Sequence, residues 1–219
     1  MLTKRKIIFD DYDTAVNGLW TLAACYLSEA EPVTNLVEIP GRVDGPLDAS
    51  TALTGDIQYQ PRTLEVTLES SEGTRQDRKK KIDYMVNKLH GQRVKIWLPD
   101  DGLHYLLGRL SIKEEYNDHA HASITVLATC EPWRYDNDET VVDLTIPNST
   151  TSFTLSNDRR PVSPVITVQG LLKLVIDGST YTLNSGTFKH PDLLLKQGGQ
   201  TIKVYGSGSA TFTYRKAVL

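Results

Sequence analysis

The sequence is dominated by short stretches in which apolar and polar residues alternate, the period of a β-strand with one buried face. Residues 63–69 (TLEVTLE), 93–98 (RVKIWL) and 123–130 (SITVLATC) carry this pattern. A fourth apolar-rich stretch, residues 105–112, lies between the last two. We therefore predict an antiparallel sheet in the first part of the chain.

One helix interrupts this predicted sheet. Thr74 is placed to cap a helix N-terminus, and Asp77 completes a capping box near the positive end of the helix dipole. Gly91 supplies the left-handed residue that ends a helix. The apolar residues between them fall on one face, at Ile82, Met85, Val86 and Leu89. The first part of the chain is therefore predicted to be α+β, strands with one packed helix.

The pattern changes at residues 136–139 (DNDE), where we place a domain boundary. Beyond it there is no helical period, only short strand-like stretches separated by turn signals. Asp177-Gly178, between apolar flanks, predicts a two-residue hairpin. Two glycine pairs, in residues 197–200 and 206–208, are interpreted as further chain reversals. Several strands at this spacing predict a small β-sandwich.

The charge of the chain is small and acidic. Its net charge is −3 at pH 7, with 24 basic and 27 acidic residues. Tight binding to nucleic acid needs a positive excess that neutralises phosphates. We therefore expect no specific nucleic-acid binding.

No apolar run in the sequence is long enough for a secretory signal or a membrane span. We expect the protein to be made in a cytoplasm and to insert into no membrane. Cys130 continues an alternating strand and is predicted to be buried as a small apolar residue. Two reduced thiols are favoured over a Cys25–Cys130 disulfide, because that compartment is reducing.

The residues that commonly carry chemistry do not form a recognisable site. His119 and His121 lie two apart, but no further ligand is spaced to complete a metal site. Adjacent acids at 100–101 and 114–115 point in opposite directions in an extended chain. No nucleophile with a base and an orienting group is present. We predict a protein that is not an enzyme and that needs no metal or cofactor.

Three blocks of the sequence carry a family resemblance. They are residues 37–50 (VEIPGRVDGPLDAS), 90–99 (HGQRVKIWLP) and 128–135 (ATCEPWRY). In order and spacing they resemble the distal tail protein (Dit-like) family of long-tailed phages and prophages of Gram-positive bacteria. The resemblance covers residues 1–136 and holds only in outline beyond them.

The resemblance implies a mainly β (α+β) fold and a structural role in the virion. Residues 1–136 would form a split-barrel-like domain with one packed helix, and residues 137–219 a galectin-like β-sandwich. The first domain would assemble into a hexameric ring at the tail tip, or baseplate. The implied partners are other copies of the chain, the tail tube protein, the tail-associated tip protein and a receptor-binding protein docked on this hub.

A glycine-rich block at residues 40–48 is the first candidate contact surface. It combines two tight turns, each needing the backbone freedom of glycine. One interpretation is a plain hairpin loop. The other, implied by the resemblance, is a shaped loop near the contacts between ring subunits, with Arg42 and Asp44 exposed.

A basic run in the first turns of the predicted helix is the second candidate. Positive charge there opposes the helix dipole, so we interpret it as a surface for an acidic partner. The residues concerned are Arg78, Lys79, Lys80 and Lys81.

Two other functions stay open at this point. One is a carbohydrate-binding adhesion module, with Tyr181, Tyr205 and Tyr214 as candidate aromatic platforms. Phe153, Phe188 and Phe212 are assigned to the core by their phase, and all three tryptophans precede this domain. The other is a different tube or tip component of a phage-derived injection machine.

Overall fold

The computed structural model describes residues 5–18, 20–41, 43–147, 149–176, 178–190 and 193–219. The protein is mainly β, with two helices among these residues. It divides into two compact units, Met1–Arg134 and Tyr135–Leu219. Each unit has its own apolar core.

Seven strands of the N-terminal part join in one sheet that curls into half a barrel. The elements are β1 (Ile8–Phe9), β2 (Tyr12–Asp13), α1 (Thr14–Asn17), β3 (Thr21–Leu27), β4 (Leu36–Val37), β5 (Leu47–Asp48), β6 (Arg62–Ser70), α2 (Arg75–Leu89), β7 (Arg93–Trp97), β8 (His104–Asn117) and β9 (Ala122–Asp136). The strand order is β2-β1-β7-β8-β9-β6-β3, and β4 and β5 form a separate ribbon. The stretches predicted from alternation correspond to β6, β7, β8 and β9, which confirms that prediction.

Alternation places one face of these strands in the core. In β6, Leu64, Val66 and Leu68 are fully buried, while the residues between them are more accessible. The antiparallel register sets Val66 opposite Val126 of β9, which is also buried. Burying such a side chain contributes about 1.5–3 kcal/mol, so the alternation fixes which face of the sheet turns inward.

Helix α2 packs against the same core. The Thr74 side chain accepts a hydrogen bond from the Asp77 backbone N–H, and the Asp77 carboxylate accepts one from the Thr74 N–H, so the predicted capping box is confirmed. Gly91 follows the helix with a φ of 76°. The predicted apolar face is also confirmed: Ile82, Met85 and Leu89 are buried, and Val86 is partly buried. Helix α1, capped by Asp13, is not predicted because four residues carry no period.

The second unit is built around two long strands. Its elements are β10 (Thr140–Ile146), β11 (Thr151–Asn157), β12 (Val165–Ile176), β13 (Ser179–Leu183), β14 (Gly186–Lys189), β15 (Gly198–Tyr214) and β16 (Ala217–Val218). One edge of β15 pairs with β12, and its other edge pairs first with β11 and then with β10. The outer edge of β12 is likewise shared by β14 and β13.

In both β12 and β15, the buried residues before and after the midpoint of the strand belong to one apolar core. In β15, Ile202 and Val204 are buried before the midpoint, and Ala210 and Phe212 after it. The corresponding residues of β12 behave in the same way. The sheet therefore folds over itself and encloses its core in a sandwich-like arrangement.

Residues 206–208 do not reverse the chain, so that interpretation of the sequence is wrong. They lie inside β15, and Gly206 and Gly208 have φ values of 122° and 143°. A Cβ on Gly206 would lie 2.3 Å from the Leu171 carbonyl oxygen, and one on Gly208 would lie 2.0 Å from that of Gln169. Glycine is required here because two strands approach closely.

The structure agrees with two predictions from the sequence, the hairpin at Asp177-Gly178 and the absence of a Cys25–Cys130 disulfide. Ile176 pairs with Ser179, so two residues connect β12 to β13; Asp177 itself lies outside the described residues. Both thiols are free, with Cys130 buried on β9 and Cys25 exposed on β3. Strand β6 separates these two strands.

Candidate assembly surfaces

Residues 29–61 leave the sheet between β3 and β6 as a long excursion, which we call the arm. At its base Val33 donates its backbone N–H to the Gln58 carbonyl at 2.8 Å, so the outgoing and returning chains run side by side. Farther out, β4 and β5 pair as a short antiparallel ribbon. Residues 38–46 connect these two strands and form the arm tip.

The arm has no core of its own. Every described residue from 31 to 48 is exposed, and so are residues 51–55. A two-stranded ribbon without packing is marginally stable in water, and clustered exposed apolar side chains mark interaction surfaces. The exposed aliphatic residues of the arm are Val33, Leu36, Val37, Ile39, Val43, Leu47 and Leu53, with Val43 96% and Leu53 97% exposed. The arm therefore has the character of a segment that is buried by a partner.

The arm tip contains the glycine-rich turns singled out in the sequence. Gly41 and Gly45 have φ values of 83° and 79°, a region that favours glycine. Asp44 is exposed, whereas Arg42 lies outside the described residues. The arm as a whole carries six carboxylates and one arginine, a net charge of −5. Its apolar surface is therefore embedded in negative charge.

The basic run of α2 separates into residues with different roles. Arg78 is fully buried, which corrects the expectation that it belongs to an exposed surface. Lys79 and Lys80 are exposed and Lys81 is half-buried. Lys79 forms a salt bridge with Glu114 at 2.8 Å. Within the described chain Lys80 and Lys81 form no salt bridge, so their charges are open to a partner.

Arg78 ties the start of α2 to the connection between β8 and β9. Its two Nη atoms donate to the carbonyl oxygens of Gly73 and Asp118, each at 2.7 Å, and its Nε donates to Asn117 Oδ1 at 3.4 Å. A buried charge is tolerated only when such partners satisfy it. Arg78 therefore stabilises the contact between the start of α2 and the connection from β8 to β9.

A cavity of about 390 Å³ lies beside β3, the last strand on the path of the first sheet. One wall is formed by residues 22–25 of β3, and another by residues 98–101, which connect β7 to β8. The second wall contributes the carboxylates of Asp100 and Asp101, and three arginines line the cavity as well: Arg5, Arg62 and Arg134. The sequence gives no signal of this cavity, because its arginines come from three distant segments.

Two of these arginines are matched by carboxylates. Arg5 forms a salt bridge with Asp100 at 2.9 Å, and Arg134 forms one with Asp101 at 3.3 Å. Asp101 also accepts a hydrogen bond from His104 Nδ1 at 2.9 Å. Burial of Asp101 would raise its pKa, but the hydrogen bonds from His104 and from backbone N–H groups outweigh it, so the pKa of Asp101 is lowered.

Arg62 is the third arginine of the cavity, and it is only 7% exposed. Its Nε donates to the Ser28 carbonyl oxygen at 2.7 Å. No ion pair of Arg62 occurs among the described residues. Burial lowers the pKa of the Arg62 guanidinium, Glu29 acts in the opposite direction, and Arg134 lowers it further. A cation is therefore held in a partly desolvated cavity with no carboxylate bonded to it.

The tyrosines considered as sugar platforms do not form a common surface. Tyr214 is buried and donates its hydroxyl to the Ser156 carbonyl at 2.7 Å, while Tyr181 is half-buried against the core. Tyr205 is exposed. The three phenylalanines lie in or against the core as predicted: Phe153, Phe188 and Phe212.

Neither a membrane-spanning helix nor a metal-binding cluster occurs in the described part of the chain. No helix in it is long and apolar enough to cross a membrane. No group of three or more His, Cys, Asp or Glu side chains in it could hold a metal ion.

No protein-family model and no curated protein sequence matches the chain. Among solved structures, the fold matches that of a phage hub protein. The structure is that of SPP1 Dit, with a TM-score of 0.68 and 19% sequence identity over 98% of this chain and 99% of that chain. SPP1 Dit is described as a paradigm of the hub adsorption apparatus in phages that infect Gram-positive bacteria. The mainly β, Dit-like fold expected from the sequence blocks is therefore confirmed.

Proposed function

We propose that the protein is a structural component of a phage tail hub, in which copies of the chain form a ring at the tail tip. Two separate observations support this proposal. Three sequence blocks resemble the Dit family, and the fold matches SPP1 Dit over almost the full length of both chains. The role is structural, with no catalytic step, and its place is the virion.

The exposed arm is the observation that carries the proposal. Ordering a segment of this length costs conformational entropy, which burial of apolar side chains normally offsets. In the single chain seven aliphatic side chains of the arm, from Val33 to Leu53, stay exposed. A neighbouring copy in a ring supplies the missing surface.

The contact between ring subunits is heterologous in this proposal. The arm of one copy meets a different patch on the next, and repeated rotation closes the circle, with six copies as in the family. The free edge of β3 adds main-chain hydrogen bonding as a second means of contact. The bore of such a ring passes phage DNA without gripping it, which suits a chain of net charge −3.

The two parts of the chain take different roles. Residues 1–136 form the ring, meeting the tail tube protein on one face and the tail-associated tip protein on the other. Residues 137–219, as a galectin-like sandwich, provide the docking site for receptor-binding proteins. The charges of Lys79, Lys80 and Lys81 serve contacts with an acidic partner surface, in a neighbouring copy or in a tail protein.

Native mass spectrometry and negative-stain imaging of concentrated protein test the proposal. We expect closed rings, and a variant lacking residues 34–57 should stay monomeric. Reconstruction of an intact particle separates a tail hub from another tube or tip component, because each occupies a different level of the tail. Solitary molecules in both the concentrated sample and the particle would contradict the proposal.

A further inference from the structure

The guanidinium of Arg62, which lines the cavity beside β3, has hydrogen-bonding capacity that the described chain does not use. Its Nε is satisfied by the Ser28 carbonyl, but its Nη atoms, which make the fork that binds carboxylates, have no hydrogen-bond partner among the described residues. The cavity that it lines has room for a side chain.

The mouth of this cavity is suited to an extended peptide. It is bordered by β3, which ends the sheet path. At Leu22 the outer edge of this strand donates its backbone N–H to the Arg5 carbonyl at 3.2 Å, and beyond Leu22 the edge faces no further strand of the described sheet. Residues 23–26 of β3 are exposed, and the Tyr26 side chain is 65% exposed. An incoming chain could pair along this edge while a side chain enters the cavity.

The arm tip carries carboxylates that fit this requirement. Glu38 and Asp44 are exposed, and among the described residues neither makes a hydrogen bond or an ion pair. They sit beside exposed aliphatic residues, including Val43. By contrast, the Asp48 carboxylate is engaged by Ser50.

We infer that the arm tip of one copy docks on the β3 edge of a second copy and places the carboxylate of Glu38 or Asp44 against Arg62. The inference rests on the proposed ring and names one contact that holds it. A fork-to-fork pair between arginine and carboxylate adds directional specificity to an otherwise apolar contact. Because arm tip and cavity are different patches, the contact is heterologous and propagates around a ring.

Cys25 gives a direct test, because it is exposed and lines the same cavity. Glu38→Cys and Asp44→Cys place a second thiol at the arm tip, and mild oxidation of the concentrated full chain is followed by non-reducing electrophoresis. A disulfide forms only when the two Cα atoms come within about 7 Å. Glu31→Cys, at the base of the arm, is the matched control.

We expect a ladder of covalent oligomers from at least one arm-tip variant, none from Glu31→Cys, and none after Cys25→Ser is added. We also expect Arg62→Gln to weaken association on the order of tenfold or more, as loss of a desolvated charge pair does. The cross-linking variants change exposed residues. They therefore still test the contact between arm tip and cavity if Arg62→Gln fails to fold.

The possible failures are distinguishable. Rings that form without cross-links, or with equal cross-linking of Glu31→Cys, would overturn the Arg62 contact and leave the ring in place. A chain that forms no ring at any concentration and no ladder would overturn both.

Discussion

Gly170 of β12 and Gly208 of β15 stand directly opposite each other in register, and both have positive φ. They lie where the two long strands pass from one half of the folded sheet to the other. A Cβ on Gly208 would lie 2.0 Å from the Gln169 carbonyl oxygen, and one on Gly170 would lie 2.4 Å from that of Ser207. The second unit can fold over its core because these positions lack side chains.

Replacing Gly208 by alanine should therefore destabilise the second unit by about 3 kcal/mol or more, because backbone strain adds to a collision with a carbonyl oxygen. Gly198→Ala is the matched control in the same strand, since Gly198 has a positive φ of 97° but nothing within 4 Å of its Cβ position. We expect the control to lose about 1 kcal/mol. Urea unfolding of both variants measures the difference, and equal losses would contradict the steric explanation.

The sequence predicts the strands of this protein better than it predicts how they bend. Alternation located β6 to β9 because each has one buried face, a property visible within a few neighbouring residues. Gly206 and Gly208 form a Gly-x-Gly pattern, which occurs both in turns and where strands approach closely, so the pattern alone does not identify a turn. The two uses are distinguished by the Gln169 and Leu171 carbonyls on the facing strand, which local sequence does not identify.

The basic run of α2 is a second case in which local sequence does not identify the role of each residue. Residues 78–81 are all basic, so the sequence does not distinguish them, yet only Arg78 among them is fully buried. Its burial depends on the carbonyl oxygen of Asp118, forty positions away. In the arm, the glycine turns are predictable from the sequence. The exposure of its aliphatic residues is not, because exposure depends on how the rest of the chain folds around the arm.

Arg78→Ala should lower the stability of the first unit by about 3 kcal/mol, because it leaves buried carbonyl oxygens without a charged donor. Lys80→Ala, two positions along the same helix, removes an exposed charge and should change stability by less than about 0.5 kcal/mol. Thermal unfolding followed by circular dichroism compares the two. A stable Arg78→Ala protein would show that the guanidinium bonds contribute little.

Reversing the charges of Lys79, Lys80 and Lys81 to glutamate should weaken assembly without unfolding the chain. The expected effect is largest at low ionic strength and fades towards 1 M salt, where the screening length falls to about 3 Å. The matched control reverses three exposed lysines of the second unit, Lys173, Lys189 and Lys203. Sedimentation velocity of both variants over a salt series measures the effect. Equal association of the two variants would remove the basic run from the assembly surface.

The pH dependence of stability should change when Asp101 is replaced. The pKa of Asp101 is lowered in the folded chain, whereas an unfolded aspartate titrates near pH 3.9. A group with a depressed folded pKa stabilises the protein above the unfolded value, and that contribution disappears as pH falls towards the folded value. Wild-type protein should therefore lose more stability than Asp101→Asn between about pH 5 and pH 3.

Asp100→Asn is the natural control for this measurement. Asp100 is adjacent in the chain, but its salt bridge with Arg5 is exposed, with side-chain exposures of 68% for Arg5 and 78% for Asp100. Exposed pairs contribute roughly 0–1 kcal/mol, so this variant should follow the wild type through the acid range. Urea unfolding at closely spaced pH values gives the slope of the free energy of unfolding against pH for each protein. If Asp101→Asn keeps the wild-type slope, the bonds from His104 and Arg134 do not couple this part of the cavity wall to folding.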